Sequence, residues 1–208
     1  MVHFNQILSG VFFATAAFAK LQKANDSPEG AKYVAKFDNK LQGQVEFVGT
    51  SNGSVSVSVK LEGLPETGGP FPYHVHELPV PSNGDCMGTK LHLNPYNGSS
   101  TATTLDDTEV GDLARRHGNL TAPSDDITYI DEYLSLNSDS PAFIGGRSVV
   151  VHFLNNSRIA CANITQENKG SNNNSTSTES VSETNGASTN SAGFTLGAFA
   201  VALGMMFC

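Results

Sequence analysis

Ser54-Val55-Ser56-Val57-Ser58-Val59-Lys60-Leu61 alternates polar and apolar residues without a break. Successive strand side chains point to opposite faces, so this stretch is a strand with one face buried and one in water. Leu41 to Val48 has the same character upstream, and Thr50-Ser51-Asn52-Gly53 supplies the residues of a hairpin turn between the two. A Gly/Pro-rich approach, Gly68-Gly69-Pro70-Phe71-Pro72, leads into Val75. Later strands are expected over Ile127 to Leu134 and Ser148 to Leu154, with Gly145-Gly146 opening the last. No stretch sustains a 3.6-residue period, and there is no internal repeat. Short β runs at this spacing predict one all-β domain over residues 33–165, an immunoglobulin-like Greek-key barrel or sandwich of about eight antiparallel strands. Its long loops run from Leu78 to about Leu113 and from Ala114 to Asp126. A chain of roughly 130 residues buries enough surface for one core.

The two ends of the 208-residue chain read differently. Ile7 to Phe18 is an apolar run closed by Ala17-Phe18-Ala19, a small-x-small cleavage signal, so residues 1–19 are expected to be a secretory signal peptide. The run is too short to span a membrane. It lacks the usual Lys or Arg ahead of it, which leaves a buried N-terminal helix as the alternative. Residues 20–32 form an N-terminal segment. Gly193 to Cys208 is apolar and uncharged, and Asn185-Gly186-Ala187 lies upstream of it. Small residues, a polar spacer and a hydrophobic tail form a glycolipid-attachment signal, with Asn185 as the attachment candidate and 186–208 removed. A tail-anchoring helix needs a longer apolar run. Residues 166–185 are rich in Ser, Thr and Asn and read as a solvated, O-glycosylated stalk.

Neither end carries Lys, Arg, Asp or Glu, so the remaining chain keeps the formal charge of −8, which argues against nucleic acid as a partner. Of three cysteines, Cys208 leaves with the tail, and Cys86 and Cys161 remain. Outside the cell such a pair reads as a disulfide, with a free thiol or a zinc thiolate as rivals. Closing so long a loop would contribute roughly 4–5 kcal/mol on the chain-entropy account. Asn-x-Ser/Thr sequons make Asn25, Asn52, Asn97, Asn119, Asn155, Asn163, Asn173 and Asn174 glycosylation candidates. The expected location is extracellular: a glycoprotein on the cell surface, tied by its lipid anchor to the plasma membrane or the cell wall, with wall glycan as a further partner.

Tyr73-His74-Val75-His76-Glu77 places two imidazoles on one strand face, the smallest useful fragment of a metal site. By itself His-x-His is more often a pair of satisfied strand histidines. The chain has six histidines, and His3 falls in the leader; His74, His76, His92 and His152 all lie in strand-like stretches.

Several motifs follow in a fixed order: Tyr73-His74-Val75-His76-Glu77, Cys86, His92-Leu93-Asn94-Pro95, Gly111-Asp112-Leu113, Gly118-Asn119-Leu120-Thr121-Ala122, Gly146-Arg147-Ser148-Val149-Val150-Val151-His152 and Ser157-Arg158-Ile159-Ala160-Cys161. In this order and spacing the chain resembles the copper/zinc superoxide dismutases. The resemblance implies copper ligation by His74, His76, His92 and His152. It also implies a substrate-orienting role for Arg158, and a Cys86–Cys161 disulfide that ties the first long loop to the last strand.

The departures are equally specific. The resemblance implies a zinc site completed by two more histidines and an aspartate, yet the aligned positions carry Ser100, Glu109 and Asp112. A serine and a glutamate do not replace two imidazoles in a tight zinc site. His117 belongs to a four-residue insertion, Ala114-Arg115-Arg116-His117, matches no ligand, and is expected to be an exposed loop histidine. Five residues separate His152 from Arg158, where the zinc enzymes carry a long charged loop. The combination resembles the copper-only superoxide dismutases of fungal cell surfaces, with one copper per chain and no zinc.

That resemblance implies alternating Cu(II)/Cu(I) chemistry converting superoxide to oxygen and hydrogen peroxide. Glu109, directly or through Asp112, is the expected partner of the far nitrogen of His92; an ordinary solvated carboxylate is the plainer reading. Arg158 would attract the anion against a net acidic protein, with a surface ion pair as the plainer reading. The zinc enzymes often pair through an apolar patch not located in this chain, so a monomer or weak dimer is expected. The competing reading is a non-catalytic copper-binding module of the cell wall, which needs the histidines but not Arg158. A zinc hydrolase lacks a base placed against an open three-ligand site.

Overall fold

The computed structural model describes residues 20–167. The expected leader, most of the stalk, the anchor signal, and Asn173, Asn174 and Asn185 lie outside the described residues. Seven strands are present: β1 (Lys32–Asp38), β2 (Gln42–Gly49), β3 (Val55–Glu62), β4 (Tyr73–His76), β5 (Ser124–Asp131), β6 (Ser148–His152) and β7 (Arg158–Gln166). They form a single antiparallel sheet in the order β4-β6-β7-β1-β2-β3-β5. The all-β Greek-key expectation holds, with seven strands among the described residues where about eight were expected.

The sheet curls until its two edges meet. Phe71, just before β4, exchanges two backbone hydrogen bonds of 2.9 Å with Leu120, just before β5. Inside, the Tyr73 hydroxyl donates to that of Tyr129 at 2.8 Å, joining the two edge strands. The alternation that identified β3 is the packing itself: Val55, Val57, Val59 and Leu61 are buried, while the serines between them are half-exposed. Val45 and Phe47 of β2, Tyr73 and Val75 of β4, and Val149 and Val151 of β6 fill the same core.

Two expectations need adjustment. The strand expected over Ile127 to Leu134 runs instead over Ser124–Asp131. It pairs with β3 from its acidic first residues onward and ends where the Asp131 carboxylate turns to accept from the Tyr133 and Leu134 amides, each at 2.8 Å. The two long loops are also partly ordered, carrying a 3-10 turn at Cys86–Thr89, another at Leu105–Asp107, and the one-turn helix α1 (Leu113–His117). Residues 20–32 lie along the barrel: Leu21 is buried in the core, and the Ser27 hydroxyl accepts from the Leu136 amide at 3.0 Å.

Candidate metal centre

Three elements bring the four histidines together. His74 and His76 sit two residues apart on β4 and share a face. His152 ends β6, the neighbour of β4, at a shift of register between Val151 and His152. Such irregularities re-aim a side chain. His92 comes from the first long loop, which bridges to β4 at His76. The Leu93 amide donates to the Val75 carbonyl at 2.9 Å, the Val75 amide to Gly111 at 2.9 Å, and the Gly111 amide to Leu93 at 2.8 Å. This three-way contact requires a glycine. A Cβ on Gly111 would stand 2.2 Å from the Val75 oxygen and 2.9 Å from the Leu93 nitrogen.

One ring nitrogen from each of His74, His76, His92 and His152 lies within 4.8 Å of all the others. The opposite nitrogens of three rings are anchored from outside. Nδ1 of His76 is 3.1 Å from the Lys90 carbonyl oxygen and 3.1 Å from the Thr89 hydroxyl. Nδ1 of His152 is 3.1 Å from the Asn156 carbonyl oxygen, and Nδ1 of His92 is 2.5 Å from Oε2 of Glu109. An Nδ1–H donated outward leaves Nε2 as a bare lone pair facing inward, the tautomer a metal requires. Nε2 of His76 and Nε2 of His152 accordingly face each other at 3.2 Å.

His74 is turned the other way. Its Nε2 points toward Oδ1 of Asp112 at 3.5 Å, and its buried Nδ1 has no hydrogen-bond partner. A buried nitrogen without a partner is costly, and a metal ion satisfies it.

The electrostatics point the same way. Burial, followed by the charges of the neighbouring histidines, pushes the His74 pKa far below that of an ordinary imidazole. Burial, then His92 and Arg158, lowers His76 to about 3. Burial, opposed by the hydrogen bond to Asn156, brings His152 to about 4. These rings are therefore neutral near pH 7 with lone pairs available. Neutral imidazole donors suit copper, as they do zinc, iron and nickel.

The residues lining the centre divide by rim. On one side Arg158, at the start of β7, donates to the Cys86 carbonyl, to the Thr89 hydroxyl at 3.0 Å and to the Lys90 carbonyl. Cys86 is bonded to Cys161, three residues after Arg158. The disulfide read from the sequence is thus present, and it holds the carbonyl that holds the guanidinium. On the other side Glu109 meets His92, and its Oε1 accepts from Nδ2 of Asn94 at 3.2 Å. Asp112 is buried and caps α1, accepting from the Arg115 amide at 3.1 Å. Ser100 is exposed, and its carbonyl accepts from the Arg115 guanidinium at 2.8 Å. Arg158, Glu109, Asp112, Ser100 and Arg115 border an open cleft of ≈ 1010 Å³ that also contains the four histidines.

One expectation is corrected. His117 is not an exposed loop histidine. The insertion folds into α1, which turns His117 inward to stack on Tyr129 (ring centroids 3.8 Å apart) and places its Nε2 2.8 Å from Oδ2 of Asp131. Asp131 and Arg116, which pairs with it, escaped the sequence reading. A signal existed: Ile127, Tyr129 and Asp131 share one strand parity, and a carboxylate on the inward face of a strand demands a partner.

Comparison with known proteins gives one answer. The copper/zinc superoxide dismutase (SODC) family profile matches residues 41–178. "Cell surface superoxide dismutase [Cu-Zn] 4" of Candida albicans is 47% identical over 176 residues, covering 83% of this chain and 75% of that protein. "Cell surface Cu-only superoxide dismutase 5" of the same organism is 46% identical over 168 residues, covering 79% of this chain and 73% of that protein. The solved structure of Candida albicans superoxide dismutase 5 with Cu(II) superposes with a TM-score of 0.65 at 46% identity, covering 70% of this chain and 97% of that one. The chain belongs to the copper/zinc superoxide dismutase family.

Proposed function

We propose that this protein is a cell-surface superoxide dismutase whose copper centre works without zinc. The observation that carries the reading is the convergence of four ring nitrogens, one of them buried and otherwise unpartnered, beside a fixed guanidinium. Family membership and the cell-surface relatives support the activity and the location.

The reaction takes two superoxide anions and two protons to one oxygen and one hydrogen peroxide. Copper, when bound by His74, His76, His92 and His152, supplies the Cu(II)/Cu(I) couple that passes one electron from the first anion to the second. Arg158 attracts each anion and orients it at the mouth of the histidine cluster; its position is set by three acceptors on the Cys86–Lys90 segment. His92 is the ring that takes up and returns a proton at Nε2. Glu109 holds the opposite Nδ1–H, keeping the ring aligned. Asp112 performs the lesser version of this role for His74.

The zinc-free reading rests on how the aligned residues are used. Glu109 is engaged with His92 and Asn94, Asp112 with α1 and His74, and Ser100 sits exposed with its carbonyl on Arg115. The two carboxylates already have protein partners, and two imidazoles are replaced.

The remaining features extend the same reading. Residues 1–19 direct secretion, the Ser/Thr/Asn-rich stretch after β7 serves as a spacer, and Asn185 receives a glycolipid anchor that holds a monomer or weak dimer at the membrane or wall. Asn25, Asn52, Asn97, Asn119, Asn155 and Asn163 are all exposed, as glycan acceptors must be.

The test is superoxide dismutation by the protein loaded with copper alone under strict zinc exclusion. Activity at about one copper per chain is expected. Copper bound without turnover would favour the non-catalytic copper-binding module, and activity that required zinc would overturn the zinc-free assignment.

A further inference from the structure

The four-residue insertion carries Arg116 into the barrel mouth. The Arg116 side chain is 2% exposed, and its Nε donates to Oδ2 of Asp131 at 2.9 Å. Its two terminal nitrogens donate to consecutive backbone carbonyls, Nη1 to Glu109 at 2.8 Å and Nη2 to Val110 at 2.6 Å. Three donors of one planar fork are therefore used, two on the loop and one on the barrel. Asp131 is fully buried and immobilised in turn. Its Oδ2 also meets His117, and its Oδ1 accepts the Tyr133 and Leu134 amides at the end of β5.

The loop segment gripped in this way carries Glu109, whose carboxylate meets His92 at 2.5 Å. A glutamate side chain is long and has several rotatable bonds, so its reach to His92 depends on where its main chain is fixed. Without the guanidinium, the Glu109 and Val110 carbonyls would lose their side-chain donor, and the segment would be tied to β4 mainly through Gly111. The grip also involves α1. The helix begins at the Asp112 cap, beside His74, and delivers Arg116 one turn later. A plain ion pair would explain Arg116 Nε on Asp131. It would not explain the two further bonds to the consecutive carbonyls of Glu109 and Val110.

We propose that Arg116, braced by Asp131, is a positioning residue of the copper centre, acting through the main chain of Glu109 and Val110 on the hydrogen bond between Glu109 and His92. The inference rests on the role given to Glu109 above.

The experiment compares wild type, Glu109→Gln, Arg116→Lys and Asp131→Asn, each as the full chain loaded with copper. Lysine keeps the charge opposite Asp131 but is a point donor that does not span both carbonyls. Four quantities are measured: dismutation rate against pH, the Cu(II) EPR spectrum, copper retention against a competing chelator, and Tm. Arg116→Lys should lower the rate or copper retention about tenfold. It should also alter the Cu(II) EPR spectrum and move the pH profile in the same direction as Glu109→Gln does. Asp131→Asn should do the same and serves as the second reading if Arg116→Lys does not fold.

A lowered Tm with wild-type EPR spectrum and pH profile would reduce the pair to a structural ion pair and overturn the inference. If Glu109→Gln changes the profile and neither pair variant does, the inference fails and the role of Glu109 stands. If Glu109→Gln changes nothing, that role fails and takes this inference with it.

Discussion

Nδ1 of His92 and Oε2 of Glu109 lie 2.5 Å apart, whereas the outward nitrogens of His76 and His152 meet backbone carbonyls. A carbonyl fixes a ring, and a carboxylate both fixes it and holds a charge beside it. His92 is therefore the one of these three rings held from outside by a carboxylate. Replacing the carboxylate by an amide keeps the shape and removes the charge. Glu109→Gln should retain copper while the dismutation rate falls roughly tenfold to a hundredfold, most at high pH where protons are scarce. Rates measured across a pH series check this, and an unchanged rate and profile would remove Glu109 from the mechanism.

Arg158 is fixed by three acceptors on the Cys86–Lys90 segment and borders the cleft of a protein with net charge −8. Local positive charge, against that total, is what an anionic substrate meets. Arg158→Met should lower the rate about tenfold at low ionic strength and flatten its dependence on added salt. Stopped-flow measurements over a salt series would show this. A variant with the wild-type salt slope would place the steering charge elsewhere.

The Cys86–Cys161 bond spans 75 residues and anchors the carbonyl that Arg158 uses. Replacing both cysteines by serine should destabilise the fold by about 4–5 kcal/mol on the chain-entropy account. It should also reduce activity beyond the loss of folded protein, since the guanidinium loses a fixed acceptor. Denaturant unfolding, with rates normalised to the folded fraction, separates the two effects.

Asp131 provides a pH test independent of copper. Burial raises the pKa of its carboxyl, but Arg116, His117 and the two amides outweigh burial and bring it to about 2. The folded value lies below the unfolded one, so the stabilisation is fully present above about pH 4 and is lost as pH falls toward 2. In that window the wild type should lose about 2 kcal/mol that Asp131→Asn, already less stable, does not lose. Unfolding free energies of the copper-free proteins between pH 2 and pH 5 give the comparison. Parallel curves would show that Asp131 is not the group responsible.

The cleft of ≈ 1010 Å³ over the histidines is open, and only five residues separate His152 from Arg158. Azide and larger monovalent anions should therefore inhibit with similar strength, because the described residues leave the approach wide. A steep fall in inhibition with anion size would contradict the open geometry.

The strand alternation from Ser54 to Leu61, the four histidines and the Cys86–Cys161 pair were legible in the sequence because each is written in local spacing or in motif order. β3 forms by period-two burial, and His-x-His shares a strand face wherever it occurs. The position of β5 was less legible, since the Asp131 carboxylate ends the strand by capping two amides beyond it.

The sequence alone determined which residues are available to hold a metal, which cysteines pair, and that Ser100 and Glu109 stand at the aligned zinc positions. The tertiary structure alone decided how they are held. Arg116 meets Asp131 fifteen residues away only because the insertion folds into a helix capped by Asp112, and His117 is turned inward for the same reason. Local pattern records what a strand or a turn prefers. A buried ion pair at the mouth of a barrel depends on which segments the closed sheet brings together, and no spacing along the chain encodes that distance.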